Sequence, residues 1–137
     1  MTNENTEIVV SHQEIDLKVE AKKQLRIATV DFFKCAKKPT KEQLIEALEN
    51  FSGEPQKLEL PSAPKQFIQY LEEDNRPQVS LDVNFENGMG VSVGRLREDT
   101  VYDYKFVGLS HNTLRGAAGG AVLSAELLVA KGYIEAK

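Results

Sequence analysis

Cysteine and histidine are scarce in this sequence of 137 residues, and their scarcity excludes several kinds of site. Cys35 is the only cysteine, which excludes an internal disulfide framework and a paired-cysteine zinc or redox motif. The two histidines, His12 and His111, lie far apart in the sequence and form no short-spaced metal-binding pair. We therefore expect no metal site in this chain.

Long apolar runs and basic clusters are also missing. No stretch approaches the roughly 20 apolar residues of a membrane-spanning helix, and the first ten residues lack the basic and apolar segments of a signal peptide. Lysine and arginine together number 17 against 21 acidic residues, so the formal net charge is −4. Non-specific binding to nucleic acid normally requires a basic stripe. The sequence predicts a cytoplasmic protein that contacts neither nucleic acid nor a membrane.

The length and the composition, with 41% hydrophobic and 28% charged residues, are typical of one globular domain over residues 1–137. Apolar and polar residues alternate in several segments, and that two-residue period predicts strands with one exposed face. The predicted strands span residues 14–21, 25–33, 67–74, 80–85, 88–99 and 101–110.

A helix is predicted at about residues 40–51. Thr40 stands three residues before Gln43, the spacing of a capping box, and apolar residues follow at helical spacing. Gly53 is the expected left-handed stop of this helix. The three prolines between residues 53 and 66 predict an extended surface connection after it.

A second helix is predicted over residues 113–132, with Gly132 as its stop. Gly116, Gly120 and Ser124 recur every four residues and so share one face. Such a face permits close approach by a sheet, a partner subunit or a ligand. Together the elements predict an α+β fold, in which a mixed, largely antiparallel sheet has both helices packed on one face.

The segments "NGMGVSVGRLRED" and "YDYKFVGLSHNTLRGAAGGAVLSAELLVAKGY" closely resemble the C-terminal end of aspartate-semialdehyde dehydrogenases of the archaeal and fungal type. The resemblance covers residues 40–134 in order, whereas residues 1–24 fit it only loosely. It implies that family's catalytic and dimerisation domain, paired as a homodimer or with a full-length dehydrogenase subunit. The nucleotide-binding domain of the family is expected to be absent from residues 1–137.

The resemblance also implies a reaction. The family reduces aspartyl phosphate to aspartate semialdehyde with NADPH, on the route to lysine, threonine and methionine. A cysteine thiolate forms a thioester with the acyl group, a histidine acts as acid and base, and an arginine holds the substrate carboxylate. NADP is therefore the cofactor that the resemblance implies.

Few of the family's catalytic residues carry over to this sequence. Its nucleophile lies in an Asn-Cys-Ser/Thr stretch that nothing here matches, and Cys35, in "FKCAK", is expected to be an ordinary strand cysteine. The family pattern Arg-x-x-x-x-Asp-Gly-His is matched by "RIATVDFF" only at Arg26 and Asp31, because Phe32 and Phe33 replace Gly-His. We assign no catalytic residue and take Arg26 as the candidate substrate-binding residue, with an ordinary surface arginine as the competing interpretation.

One cofactor contact does carry over. A side-chain amide just before the "RGAA"-type helix reaches the nicotinamide carboxamide in this family, and Asn112 occupies that position. The alternative is that Asn112 is simply the N-cap of the helix. His111 and Arg115 are interpreted as exposed or turn residues.

Two functions fit these observations. The first is a truncated or fragmentary relative of an NADPH-dependent aspartate-semialdehyde dehydrogenase that is inactive alone. The second is a stand-alone dimerisation or binding module without catalysis.

Overall fold

The computed structural model of the chain describes residues 9–11 and 26–135. The strand predicted at residues 14–21 lies outside the described residues. The described part is built around one sheet in which each strand is hydrogen-bonded to its neighbours.

Five strands form this sheet in the spatial order β1-β2-β5-β4-β3. They are β1 (Val9–Ser11), β2 (Arg26–Lys34), β3 (Ile68–Leu71), β4 (Val91–Glu98) and β5 (Tyr104–His111). Only β3 and β4 run parallel, and the other three neighbouring pairs are antiparallel. The α+β class and the mixed, largely antiparallel sheet are therefore confirmed.

The first predicted helix is confirmed as α1 (Lys41–Glu49), and its capping box is present. The Gln43 amide donates to Thr40 Oγ1 at 3.2 Å, while the Thr40 amide donates to Gln43 Oε1 at 2.9 Å. Gly53 is not the stop of this helix, because Asn50 is its C-cap. Gly53 has φ −86° and instead precedes a short helix, α2 (Glu54–Lys57).

The core on one side of the sheet is aromatic. Phe33 of β2 and Tyr104 of β5 are directly paired across the strands and stack with ring centroids 5.9 Å apart. Leu44 and Ile45 of α1 pack against this buried cluster. The apolar stripe of α1 thus fixes the helix on the face of the sheet that carries Phe33.

The second predicted helix is confirmed in extent but not in form. It begins as a π-helix (Leu114–Ala118), continues as α3 (Gly119–Ala130) and is followed by Gly132 at φ +75°. Glu126 accepts hydrogen bonds from the Ser62 amide at 2.9 Å and the Ser62 hydroxyl at 2.7 Å. These bonds tie α3 to the proline-containing connection.

Two sequence predictions fail between these elements. Residues 80–85 are not a strand: Val79–Asp82 is a short helix, and a turn with left-handed backbone follows at Phe85–Gly88. The alternation misled because Leu81 is 61% exposed while Asp82 is buried. The connection over residues 53–66 is also not wholly extended, since it contains α2 and buries Leu60.

Candidate functional site

The sheet register brings the two predicted site residues to one end of the sheet. Arg26, the first residue of β2, is paired with His111, the last residue of β5. Asn112 follows His111 directly in the chain. The backbones of Arg26, the candidate substrate-binding residue, and Asn112, the candidate cofactor-binding residue, therefore lie close together.

His111, not Asn112, caps the start of the following helix. The Leu114 amide donates to His111 Nδ1 at 3.2 Å, and Thr113 Oγ1 lies 3.3 Å from the same nitrogen. The N-cap interpretation of Asn112 is therefore wrong, because the imidazole takes the amide proton that an N-cap would accept. The expectation that His111 is an exposed or turn residue is wrong, because it is the half-buried last residue of β5.

The side-chain amide of Asn112 is half-buried and uncommitted. Within residues 30–135 it makes no hydrogen bond to another protein group. Its Oδ1 lies 3.4 Å from the position that a Cβ on Gly116 would occupy. That distance is an ordinary van der Waals contact, so Gly116 lies directly beside an amide that has both donor and acceptor atoms.

The left-handed turn at Phe85–Gly88 packs against the imidazole of His111. Gly88 has φ +79°, and a Cβ there would lie 2.7 Å from Leu114 Cδ1 and 3.2 Å from His111 Cδ2. The positive φ favours glycine here, and a Cβ would also displace the end of the Leu114 side chain. The sequence did not reveal this contact, because residues 88 and 111 meet only through the fold.

Arg115 was predicted to be exposed or in a turn, and this is wrong. It is a half-buried residue of the π-helix, with its guanidinium carbon 4.4 Å from the ring centroid of Phe67. Phe67 in turn packs against Phe51, with ring centroids 5.5 Å apart. Burial lowers the pKa of Arg115, which still carries its charge at neutral pH. The cation–π contact anchors the first turn after Asn112.

The positions that correspond to the family's arginine and histidine do not meet in this structure. Phe33 lies seven residues after Arg26 along one unbroken strand, which places the two Cα atoms about 23 Å apart. Phe33 is a core residue stacked on Tyr104 at the opposite end of β2. Position 33 is therefore remote from Asn112.

Cys35 has the surroundings of an unreactive thiol. It packs against the aromatic core, and its amide donates to Asp103 Oδ2 at 2.7 Å. Burial, and secondarily the charge of Asp103, raises the pKa of the Cys35 thiol. A raised pKa leaves little thiolate at neutral pH, and thiolate is the nucleophilic form.

The remaining buried charge belongs to a structural clasp. Arg76 forms a bidentate pair with Asp82, one bond of which joins Nε to Oδ2 at 2.8 Å. The Gln78 amide donates to the same carboxylate at 2.6 Å. These partners saturate the carboxylate, so the clasp holds the turn after β3 and offers no free group to a ligand.

Two further kinds of site are not found in the described ranges. Over residues 9–11 and 26–135, no three His, Cys, Asp or Glu side chains are grouped so that they could hold a metal ion. Within the same part of the chain, no helix is long and apolar enough to cross a membrane.

Comparison with known proteins identifies relatives of this domain. The sequence model of a family described as "Semialdehyde dehydrogenase, dimerisation domain" matches residues 25–115. Aspartate-semialdehyde dehydrogenase of Schizosaccharomyces pombe is 52% identical over 98 residues, which are 70% of this chain and 28% of that protein. The malonyl CoA reductase (NADP) of Metallosphaera sedula is 53% identical over 95 residues, which are 68% of this chain and 27% of that protein. The chain thus spans under a third of the length of these relatives.

Solved structures agree with the sequence relatives. Aspartate semialdehyde dehydrogenase with NADP from Candida albicans superposes with a TM-score of 0.69 and 41% identity, covering 78% of this chain and 30% of that one. Aspartate semialdehyde dehydrogenase II from Vibrio cholerae gives a TM-score of 0.58 and 25% identity, covering 75% of this chain and 27% of that one.

Proposed function

This chain belongs to the semialdehyde dehydrogenase dimerisation-domain family, and on that premise we propose that it is the C-terminal part of an NADP-dependent aspartate-semialdehyde dehydrogenase. The matched relatives include enzymes of that name from fungi. The observation that carries the proposal is the uncommitted amide of Asn112 at the end of β5, one residue beyond the position paired with Arg26.

The residues around Asn112 are suited to a nicotinamide group. A primary amide has a carbonyl acceptor and two N–H donors, so it can bond a carboxamide through complementary donor and acceptor atoms. Gly116 has no side chain to cover this amide. When bound, NADPH supplies hydride; the part of Asn112 is to orient the ring that carries it.

Arg26 is proposed to hold the carboxylate of the substrate. A guanidinium presents a planar fork of donors that matches the two oxygens of a carboxylate. The position of Arg26 opposite His111 supports this role, because substrate and nicotinamide must lie close together for hydride transfer.

We further propose that the chain does not turn over alone, because neither a thiolate nucleophile nor an acid/base histidine is assigned to it. The test uses the reverse reaction, in which aspartate semialdehyde, phosphate and NADP give aspartyl phosphate and NADPH. We expect no NADPH formation above a heat-denatured control. A rate that requires all three reactants would overturn this part of the proposal.

The acyl substrate has one competing assignment. The Metallosphaera relative is named for malonyl-CoA, so a malonyl thioester is the second candidate. Aspartyl phosphate and malonyl-CoA both carry a carboxylate near the reacting carbonyl, and Arg26 suits either. Calorimetry in which this chain binds malonyl-CoA more tightly than aspartate semialdehyde, with the preference lost in Arg26→Ala, would select the second candidate.

The alternative of a stand-alone association module is favoured by the surface of α3. This helix is apolar around its circumference, yet Val122 is 51% and Val129 48% exposed. A helix with apolar residues on all sides is normally covered by protein. We propose that the chain pairs with a second copy through its dimerisation domain, and that α3, which lies beyond the matched residues 25–115, is covered by a full-length dehydrogenase subunit.

Light scattering after size-exclusion chromatography tests this association. We expect a dimer that also binds the full-length Schizosaccharomyces pombe enzyme. A monomer that ignores that enzyme would exclude the association.

A further inference from the structure

The imidazole of His111 bonds across Asn112. Its Nδ1 accepts the Leu114 amide proton at 3.2 Å and lies 3.3 Å from Thr113 Oγ1. His111 precedes Asn112, and both bonded groups follow it. The side chain of His111 is therefore bonded to the backbone beyond Asn112. This bond closes a turn that contains Asn112.

This hydrogen-bonded turn restrains the backbone of Asn112. The first amides of a helix have no partner within the helix, and Thr113 makes no side-chain capping bond to them. His111 Nδ1 supplies the acceptor for Leu114. A closed bond between residues three apart limits the φ and ψ angles of the two residues between them, as in a tight turn.

The imidazole is itself held on both sides. The backbone of His111 is fixed by its pairing with Arg26 across β2 and β5. A Cβ on Gly88 would lie 3.2 Å from Cδ2 and 3.3 Å from Cγ of the imidazole, so the left-handed turn packs directly against the ring. Because these contacts restrain the imidazole, they also restrain the position of its acceptor atom, Nδ1.

We propose that His111 is a positioning residue, whose unprotonated Nδ1 holds the turn in which Asn112 presents its amide to the nicotinamide carboxamide. This inference rests on the function proposed for Asn112. It requires the neutral tautomer with the proton on Nε2, because only an unprotonated Nδ1 accepts from Leu114. Protonation of the ring would place two donors face to face and break the bond.

Three charged residues lie on the elements around the ring. They are Arg26 on β2, Glu86 in the left-handed turn and Arg115 in the π-helix. Glu86 is engaged by the Lys65 amide at 3.0 Å, and Arg115 is stacked on Phe67.

Nitrogen-15 NMR of the unaltered chain tests the inference. The chain has two histidines, so a His12→Gln variant assigns the His111 signals. We expect the signals of the Leu114 amide and the Asn112 side-chain amide to shift together when the His111 ring is protonated. A Leu114 amide that is indifferent to protonation of His111 would overturn the inference.

Two variants separate the acceptor from the bulk of the ring. His111→Phe keeps an aromatic ring beside Gly88 but has no acceptor, so amide exchange at Leu114 should be about tenfold faster. His111→Asn keeps an acceptor and should restore most of the protection. Amides of Val107 and Leu109 in β5 serve as the folding control. Equal protection of Leu114 in the Phe variant and the unaltered chain would also overturn the inference.

NADP added to a chimera, in which residues 40–134 replace the corresponding segment of the Schizosaccharomyces pombe dehydrogenase, tests the proposed function separately. A shift of the Asn112 side-chain amide supports the cofactor contact. An unshifted amide, in a chain whose Leu114 amide responds to His111 as expected, counts against the proposed cofactor contact and leaves the capping bond standing.

Discussion

Asp82 shows how a single buried charge makes stability depend on pH. Its side chain is 2% exposed and is engaged by Arg76 and the Gln78 amide. The bond from Arg76, followed by that from the Gln78 backbone, lowers the pKa of Asp82 despite burial. A lowered folded pKa means that the stabilisation is complete above the unfolded pKa of about 3.9 and is lost as pH falls toward the folded value.

We predict that Asp82→Asn lowers the free energy of unfolding by about 2 kcal/mol at neutral pH. The deficit should begin to shrink below about pH 4, where the carboxylate of the unfolded wild-type chain becomes protonated while that of the folded chain stays ionised. Urea unfolding at several pH values measures both effects. Glu73→Gln is the matched control, because Glu73 is an exposed partner of the same arginine at 3.9 Å and should change little. The same deficit for Asp82→Asn at pH 3 and at pH 7 would contradict the account.

Comparing Gly88 with Gly132 separates two costs of adding a Cβ. One is the cost of a positive φ angle, and the other is the cost of crowding neighbouring side chains. Both glycines have positive φ, but a Cβ on Gly132 would meet nothing within 4 Å, whereas one on Gly88 would meet Leu114 at 2.7 Å. We predict that Gly132→Ala destabilises by about 1 kcal/mol and that Gly88→Ala destabilises by about 2–4 kcal/mol. Denaturant unfolding of both variants measures the difference. Equal losses of unfolding free energy in the two variants would show that a Cβ on residue 88 does not crowd Leu114 and His111.

At the scale of single residues, the sequence offers candidate site residues but not their contacts. Asn112 and Arg26 are proposed through a family resemblance, which depends on residue type and order. The capping role of His111 was missed because an imidazole is an uncommon cap. The contribution of Gly88 was missed because it requires that two distant segments be packed together.

The capping box of α1 is an element whose stability can be tested directly. Thr40 and Gln43 satisfy each other's backbone amides. We predict that Thr40→Ala destabilises the chain by about 1 kcal/mol, while Thr40→Ser changes stability by only a few tenths. Thermal unfolding followed by circular dichroism compares them. An Ala variant as stable as the Ser variant would mean that packing of Leu44 and Ile45 alone holds α1.

Elements with strong periodicity or caps were predicted well. The period of two located β2, β4 and β5, and Thr40 located the start of α1. The period failed at residues 80–85, because tertiary bonds to Asp82 reversed which residues are buried. The π-helix was not predicted, because the small-residue pattern of this segment does not distinguish a π-helix from an α-helix.

For the whole molecule, α3 leaves apolar side chains exposed, among them Val122 and Val129. We predict that Val122→Asp weakens binding to the full-length Schizosaccharomyces pombe enzyme at least tenfold. The stability of the chain itself should change by less than about 0.5 kcal/mol, because Val122 is half exposed. Val101→Asp, at a 76% exposed position in the turn before β5, is the control and should bind normally. Binding unaffected by Val122→Asp would place the contact elsewhere.

The position of the site in the whole molecule could be only partly predicted. The sequence separated Arg26 from Asn112 by 86 positions of chain, and only the antiparallel pairing of β2 with β5 brings them to one end of the sheet. The same pairing places Phe33 in the core, so the arginine and histidine positions of the family pattern diverge along β2. Register between distant strands is not readable from one sequence.

The most direct test of the central claim is a chimera. Residues 40–134 replace the corresponding segment of the Schizosaccharomyces pombe dehydrogenase, which retains its own nucleophile and the rest of its chain. NADPH formation from aspartate semialdehyde and phosphate is measured for the chimera and for its Asn112→Ala variant. We predict an active chimera, in which Asn112→Ala raises the KM for NADP at least tenfold. A folded chimera without activity, or an Asn112→Ala variant with an unchanged KM for NADP, would contradict the account.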